Sequence, residues 1–313
     1  MGNIIKSLSM QINIAATLIK MRSMYGNDIF ILSGTQLVPT FVSRVLNKNV
    51  LLTAVASEST NSKLIHSNKN IIVKYLYYYM LLMLEIATFN LSTAIIVEAP
   101  NVAKFLNIKN KLIYNGGTFV DLETFKITNK ISNRDNIIGY VGRLSREKGI
   151  LNFIEAVARI LQNNDQLKFI IIGDGPLKKE VSEYSIKYQL FNKVEFCGWV
   201  DHKLLPEYLN KMKLLVLPSY AEGLPNIVLE SMGCGTPVLG ANVGGVPDVV
   251  IDGKTGYILK ENTPDCIADS ILEIFQSNSI ELLSDNARSY IEKEYALNSA
   301  ISRYEHIIND IHR

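Results

Sequence analysis

The chain has 313 residues, a formal net charge of +2 and 20% charged residues. A chain of this length can form two domains with sizeable cores. The charge of the whole chain is near neutral and gives no broad electrostatic signature of nucleic-acid binding, so no nucleic-acid partner is predicted.

The cysteines and histidines predict neither disulfides nor metal ligands. Cys197, Cys234 and Cys266 lie far apart, are odd in number and occur in apolar or helical contexts, which favours free thiols in a reducing compartment. The four histidines lack metal-ligand spacing, so we expect no metal and no cofactor. The start of the chain has no continuous apolar segment of the signal-peptide type, and we expect a cytoplasmic protein.

Residues 1–117 alternate between helical and strand patterns, which predicts a parallel sheet. The predicted helices are 4–24, 38–46, 72–89 and 101–106, and the predicted strands are 29–32, 50–56, 93–97 and 112–114. Residues 57–70 are polar and predicted to form a loop.

The most apolar stretch, residues 71–97, is interrupted by polar residues and is a poor membrane-spanning helix. We expect a buried core helix followed by a strand. A second hypothesis stays open, in which one helix face makes peripheral contact with the inner face of a membrane. It rests on four tyrosines, Tyr75, Tyr77, Tyr78 and Tyr79.

The remaining chain predicts an interdomain linker at 118–135, a second domain at 136–295 and a closing helix at 296–313. The second domain has a complete Rossmann-like alternation of strands and helices. Its predicted strands are 137–141, 169–172, 194–197, 214–217, 238–240 and 256–259. Its predicted helices include 150–162, 177–188, 204–210 and 226–234.

Two carboxylates, Glu222 and Glu230, lie eight residues apart across a loop-to-helix junction. Gly223 permits a sharp turn, and Pro225 suits the first turn of the helix at 226–234. The free N–H groups at the start of that helix favour an anion. A carboxylate can accept two hydrogen bonds from neighbouring sugar hydroxyls, so the pattern predicts a ligand with both hydroxyls and phosphates. The alternative is that both are solvated surface charges.

Arg143 and Lys148 occur in the loop after the predicted strand 137–141. In a parallel sheet that loop lies at the carboxyl edge, where ligands bind. A guanidinium and an ammonium five residues apart can neutralise a diphosphate and stabilise it as a leaving group. The alternative is a solvated basic loop.

Two further turns occur at strand ends. Gly173-Asp174-Gly175-Pro176 is predicted to be a tight strand-to-helix turn in which Asp174 caps the helix. Gly198-Trp199-Val200 follows the predicted strand 194–197, and Trp199 is either ligand-facing or an ordinary core residue.

Residues 221–237, AEGLPNIVLESMGCGTP, closely resemble the Glu-x7-Glu motif of the retaining GT-B glycosyltransferases of family 4 (glycosyl transferases group 1). Gly142-Arg143-Leu144 with Glu147-Lys148-Gly149 is similar to the same family's Gly-Arg-Leu and Lys-Gly element. The resemblance implies an α/β GT-B fold, with two Rossmann-like domains facing across a cleft. The incomplete N-terminal domain, 1–117, would be the acceptor side, the domain at 136–295 would bind the nucleotide-sugar donor, and the closing helix would pack back toward the N-terminal domain.

The activity implied by the resemblance is transfer of a sugar from a nucleotide-sugar donor to an acceptor hydroxyl with retention of configuration. Arg143 and Lys148 would hold the diphosphate, Glu222 the donor sugar and Glu230 the ribose. The other donor-binding positions implied are Gly223, Leu224, Pro225, Asn226 and Ile227 for sugar and phosphate, and Gly198, Trp199 and Val200 for the base. The acceptor, whether carbohydrate, lipid-linked or another hydroxyl compound, is left open.

Two features depart from the family pattern. Family members begin with strands and a Gly-rich loop that are not evident before Ile29, so strand 29–32 is expected to be a sheet edge that invites a second copy or a partner subunit. The histidine often found after the next strand has no counterpart, and His66 in the polar loop is not assigned. The alternative functions are a non-catalytic or half-enzyme nucleotide-sugar-binding subunit and another GT-B enzyme such as a nucleotide-sugar epimerase.

Overall fold

The computed structural model describes residues 2–21, 29–34, 36–54, 71–105, 112–163, 166–190, 193–277 and 279–312. These residues form two compact units, Met1–Gly117 with Ile301–Arg313, and Thr118–Ala300. The predicted loop at 57–70, with His66, lies outside the described residues. Within them, no helix is long and apolar enough to cross a membrane.

The first unit is built on a four-stranded parallel sheet in the order β1-β2-β3-β4. The strands are β1 (Ile29–Ser33), β2 (Asn49–Ala54), β3 (Ala94–Val97) and β4 (Leu112–Asn115). The helices are α1 (Gly2–Met21), α2 (Leu37–Val45), α3 (Ile71–Leu91) and α4 (Pro100–Phe105). All four residues of β3 are buried, as expected for a parallel strand covered on both faces. Among the strands that the structure describes, β1 is at the edge of this sheet, as the sequence predicted.

Helices cover both faces of the first sheet. α1 packs against α2 and α2 against α3, which forms one helical layer. Ile307, from the final helix, packs on Leu51 and Ala94, while Leu52 and Ile95, which point to the other face, are also fully buried. The final helix, α12 (Leu297–His312), is further fixed by hydrogen bonds from Tyr114 to Asp310 and from Arg303 to the Gly116 carbonyl.

The second unit contains a six-stranded parallel sheet in the order β10-β9-β8-β5-β6-β7, which is the Rossmann order. The strands are β5 (Ile137–Val141), β6 (Lys168–Ile172), β7 (Val194–Gly198), β8 (Leu214–Leu217), β9 (Val238–Ala241) and β10 (Gly256–Leu259). The helices before α12 are α5 (Ile150–Asn163), α6 (Lys178–Lys187), α7 (Leu205–Leu209), α8 (Asn226–Gly233), α9 (Val246–Val249), α10 (Pro264–Gln276) and α11 (Ile280–Glu294). The direction of strand succession reverses between β5 and β8, so these two neighbours form the topological switch point.

Local sequence explains the helices that support this sheet. α5 buries Phe153, Ile154, Val157 and Ile160, whose spacing places them on one helical face. α10 packs against α5. The hydroxyl of Thr263 caps α10 by accepting from the N–H of Cys266.

The segment 118–135, predicted as a linker, belongs to the second compact unit. Phe125 and Ile131 are buried, and so is the charged residue Arg134. The segment is therefore packed on the second unit, and that unit begins before the predicted boundary at Asn136.

Candidate functional site

The loops that follow β5 and β8 touch because these strands are neighbours at the switch point. The N–H of Tyr220 donates to the carbonyl of Glu147 at 2.8 Å. Gly149 has φ +68°, and a Cβ there would lie 1.8 Å from the carbonyl oxygen of Pro218. Only glycine allows this conformation and this approach without strain. The crevice outside a switch point is where open α/β sheets bind their ligands.

Lys148 and Glu222 form an ion pair across these two loops. The ammonium nitrogen lies 2.6 Å from Oε1 and 2.7 Å from Oε2 of the carboxylate. The hydroxyl of Ser219 also donates to Oε1 at 2.6 Å. The Glu222 side chain is only 6% exposed, whereas that of Lys148 is 28% exposed. Glu222 is therefore a held, largely buried carboxylate and not a solvated loop residue.

Arg143 is exposed in the same loop and makes no hydrogen bond or ion pair through its side chain to another described residue. Its backbone is fixed, since the hydroxyl of Tyr140 donates to its carbonyl at 2.9 Å. Burial raises the pKa of Tyr140 strongly, and the carboxylates of Glu222 and Glu147 raise it further. The phenol therefore keeps its proton and remains a donor to this carbonyl. Because the guanidinium of Arg143 is exposed and has no partner among the described residues, it is available to a ligand.

Helix α8 begins at Asn226 without a side-chain cap. Pro225 precedes the helix in an extended conformation, which corrects our placement of it in the first helical turn. The first N–H groups of α8 therefore have no capping side chain, and a helix start of this kind favours an anion. The turn after β9 holds the preceding loop, because the N–H of Gly245 donates to the Gly223 carbonyl at 2.6 Å.

Glu230 lies inside α8 and is buried at 8% exposure, which excludes a solvated surface charge. Its Oε1 is 2.8 Å from Nε2 of His202, whose ring lies 5.2 Å from that of Phe125 between centroids and is tilted by 56° to it. Sequence reasoning missed His202. The available signal was its place in the loop after β7, at the same carboxyl edge as the other predicted residues.

The far end of α8 is held by two arginines that the sequence reading also missed. Arg134 donates to the Cys234 carbonyl at 2.7 Å, and Arg288 donates to the Gly233 carbonyl at 2.5 Å. Cations at a helix C-terminus complement the helix dipole. Burial lowers the pKa of Arg134 to about 10, so the guanidinium is still charged at neutral pH. These contacts fix α8 and hence the position of Glu230.

The turn after β6 adjoins the end of β7. The N–H of Gly173 donates to the Gly198 carbonyl at 2.7 Å. Asp174 accepts from the N–H of Gly175 and from Lys178. The helix itself is preceded by Leu177 without a side-chain cap, so Asp174 stabilises the turn and the prediction that it caps the helix was wrong.

A pocket of about 570 Å³ lies beside this turn, at the ends of β6 and β7. Trp199 next to it is 72% exposed, which excludes the reading of this residue as core. Val200 is half-buried. The Oγ of Ser185 is buried and has no hydrogen-bond partner among the described residues. The pocket is lined by residues that include Leu144, Gly173, Lys178, Ser185, Phe196 and Gly198.

The structure thus places the predicted residues of the second unit at one edge of one sheet. Lys148 pairs directly with Glu222, and Glu230 pairs with His202. Arg143 takes part in neither pair. In the part of the chain that the structure describes, no group of three or more His, Cys, Asp or Glu side chains could hold a metal ion.

The sequence model of a family described as Glycosyl transferases group 1 matches residues 121–294. Among curated proteins, the α-D-kanosaminyltransferase of Streptomyces kanamyceticus is 30% identical over 177 residues, which cover 56% of this chain and 46% of that protein. The chain spans about half the length of the curated relatives it matches.

Solved structures show the fold. Sucrose-phosphate synthase from Thermosynechococcus elongatus superposes with a TM-score of 0.78 at 21% identity, over 95% of this chain and 77% of the other. The Anabaena protein Alr3699/HepE, solved in complex with UDP, superposes with a TM-score of 0.77 at 19% identity, over 95% and 82%. The predicted α/β fold of the GT-B class is confirmed.

Proposed function

Because the chain belongs to the glycosyl transferases group 1 family, we propose that it transfers a sugar from a nucleotide-sugar to an acceptor hydroxyl with retention of configuration. The observation that carries this proposal is the Lys148–Glu222 pair at the switch point of a Rossmann sheet, close in sequence to the uncapped start of α8. A cation, a held carboxylate and a helix N-terminus together suit a ligand that carries both phosphates and sugar hydroxyls.

The diphosphate of the donor is assigned to the positive groups of this edge. Arg143 is exposed and without a side-chain partner among the described residues, and Lys148 is partly exposed beside it in the same loop. The N–H groups at the start of α8 add partial positive charge. Since negative charge grows on the diphosphate as the sugar leaves, these groups stabilise the transition state more than the ground state.

The sugars of the donor are assigned to the two carboxylates. Glu222, fixed by Lys148 and Ser219, accepts hydroxyls of the transferred sugar. Glu230, fixed inside α8, accepts the ribose hydroxyls. The pocket beside Gly198 has room for a planar base, whose edge would meet the main chain of Gly198 to Val200.

In the reaction, the bond between the anomeric carbon and the diphosphate oxygen breaks, and a bond to the acceptor oxygen forms on the same face of the sugar. The acceptor proton passes to the departing diphosphate, which is the most basic group produced. Arg143, Lys148 and α8 supply the positive charge that a metal ion would otherwise provide, so we propose that transfer needs no metal. The UDP bound to the Anabaena protein supports a nucleoside diphosphate as the leaving group.

A donor screen tests this proposal. Purified protein is incubated with a panel of nucleotide-sugars, hydrolysis is measured with and without EDTA, and nucleoside diphosphate binding is measured by calorimetry. We expect hydrolysis of one donor class, no effect of EDTA, and weaker binding in Lys148→Ala but not in the exposed control Lys179→Ala. Binding of no nucleoside diphosphate would refute the proposal, and activity that EDTA removes and Mg²⁺ restores would refute metal independence. Binding without hydrolysis or transfer would favour a nucleotide-sugar-binding subunit.

A further inference from the structure

The helical layer of the first unit has an unusual charge composition. Its helices α1, α2 and α3 have 20, 9 and 21 residues and contain four basic residues, Lys6, Lys20, Arg44 and Lys74. Their single acidic residue, Glu85, is buried at 4% exposure. The layer therefore presents no acidic side chain from these helices to its surroundings, whereas Lys20 and Arg44 are exposed.

The same layer exposes large apolar side chains. On α3, six of them recur every three or four residues and so share one face of the helix. They are Tyr75, Leu76, Tyr79, Met80, Met83 and Ile86, and each is between 40% and 72% exposed. The opposite face of α3 is buried and includes Thr88 and Phe89.

The apolar surface extends beyond α3. Ile12 and Ile19 on α1 and Phe41 and Val45 on α2 are each more than half exposed. Monomeric proteins normally expose apolar residues singly, whereas here they are spread over three packed helices. An apolar surface of this kind indicates a site that contacts a protein or a membrane.

The net charge of the first unit distinguishes between two candidates for this contact, a second copy of the chain and a lipid bilayer. Residues 1–117 carry eleven Lys and Arg against four Asp and Glu, a net charge of +7, although the whole chain carries only +2. A second copy would place this patch, whose helices expose Lys20 and Arg44 but no acidic side chain, against the same patch, because a twofold interface pairs one patch with its own copy. A bilayer with anionic headgroups offers the opposite charge together with an apolar interior.

We propose that the layer of α1, α2 and α3 binds the surface of a bilayer that contains anionic phospholipids. The apolar side chains enter the boundary between headgroups and acyl chains, to a depth of about 5–10 Å. The tyrosines suit this boundary because each has an apolar ring and a polar hydroxyl. Lys20 and Arg44 contact the anionic headgroups. This binding is independent of the function proposed for the second unit.

Vesicle co-sedimentation of the whole chain tests the proposal. We expect binding to vesicles that contain phosphatidylglycerol, weak binding to vesicles of phosphatidylcholine alone, and release as ionic strength rises. The double variant Leu76→Glu and Met83→Glu should bind at least about tenfold more weakly, because two apolar anchors are lost. Its matched control is Ile186→Glu with Leu282→Glu, two equally exposed apolar residues of the second unit, which should bind as the parent does.

A charge-reversal variant tests the electrostatic part. Lys20→Glu with Arg44→Glu should weaken binding about 25-fold or more, since each Lys or Arg near an anionic surface contributes about fivefold. Lys179→Glu with Lys293→Glu, on the second unit, is its control. Circular dichroism should show all variants folded, because the substituted side chains are exposed.

Two results would overturn the proposal. One is equal sedimentation of parent and Leu76→Glu/Met83→Glu chains with anionic vesicles. The other is a dimer of the parent, seen by light scattering without lipid, that Leu76→Glu/Met83→Glu dissociates. The second result would show that another copy of the chain covers this face.

Discussion

Glu222 and Lys148 neutralise each other, so a diphosphate that engages Lys148 must compete with Glu222 for its ammonium group. The variant Glu222→Gln keeps the shape of the side chain and removes the competing charge. We expect calorimetry to show nucleoside diphosphate affinity that is unchanged or up to about fivefold tighter, since a partly exposed ion pair is worth about 1 kcal/mol or less. The turnover number should fall about 100-fold or more, because the carboxylate no longer holds the sugar.

Lys148→Ala is the informative comparison for Glu222→Gln, because it removes the other half of the same pair and should weaken diphosphate binding. Glu183→Gln, on the exposed surface of α6, controls for loss of a carboxylate. A clear loss of diphosphate affinity in Glu222→Gln would contradict competition within the pair.

Glu230 and His202 make one contact but should contribute differently to donor binding. Glu230→Ala should weaken donor affinity by about 1.5–3 kcal/mol, the range for a lost hydrogen bond to a charged group. His202→Ala should change it less than about fivefold, because the ring is 66% exposed and ribose hydroxyls can replace its contact with Glu230. Titration calorimetry with the cognate donor compares them, and an equal loss in both would move the ribose contact to His202.

At this scale, residue spacing predicted Glu222, Glu230, Arg143 and Lys148 as site residues, but it could not predict their pairing. Lys148 meets Glu222 because β5 and β8 are neighbours in the sheet, although 74 residues separate the two side chains. His202 was missed for the same reason, since nothing local in the sequence joins the end of β7 to the inside of α8.

Helix α8 depends on groups outside it at its C-terminal end. Arg134 binds the carbonyls of Leu209, Met212 and Cys234 and the hydroxyl of Thr236. Arg134→Met keeps the apolar volume but removes a charged donor from all four acceptors, although the Leu209 carbonyl keeps its bond from the Thr236 hydroxyl. We therefore expect a loss of about 3 kcal/mol in the free energy of unfolding. Chemical denaturation measures it, with the exposed Arg146→Met as the matched control, and an equal effect of both substitutions would contradict the anchoring role.

The contact between the β5 and β8 loops depends on Gly149. Gly149→Ala adds a Cβ 1.8 Å from the Pro218 carbonyl, so the loops must separate and Lys148 must move with them. Gly253→Ala is a close control, because Gly253 has φ +69° against +68° for Gly149 but nothing lies within 4 Å of its added Cβ. We expect the control to cost about 1–2 kcal/mol of backbone strain, and Gly149→Ala to cost more and to reduce turnover as well. Equal stability and equal turnover in both variants would show that the close approach has no functional role.

At the scale of elements, periodicity predicted the described parts of the helices and strands to within a few residues, while residues 22–24, 55–56 and 106 of the predicted elements lie outside the described residues. The exceptions follow from tertiary contacts. The predicted helix 204–210 is observed as α7 (Leu205–Leu209), preceded by a 3₁₀ turn at His202–Leu204. The segment 118–135 looked like a linker because its sequence is polar, and only the burial of Arg134 among carbonyls shows how it packs.

For the molecule as a whole, the alternation of strands and helices predicted two parallel sheets, and hydropathy predicted the apolar character of α3. It could not show which side of α3 is covered. The exposed face of α3 carries six large apolar side chains, whereas its buried residues include Glu85 and Thr88, so hydropathy alone does not separate the covered side from the exposed one.

The second unit should fold and bind nucleotide as a separate fragment of residues 118–300. Its main core, from Ile138 to Ile274, is drawn from its own residues, and the contacts that fix Glu222, Glu230 and α8 also lie within it. We expect a cooperative unfolding transition and nucleoside diphosphate affinity within about threefold of the full chain, a difference of less than 1 kcal/mol. Sugar transfer should be absent, because we propose that the first unit is the acceptor side. The fragment should also fail to sediment with anionic vesicles, since the layer of α1, α2 and α3 is missing.

A folded fragment that binds nucleotide much more weakly than the full chain would show that residues of the first unit contact the donor.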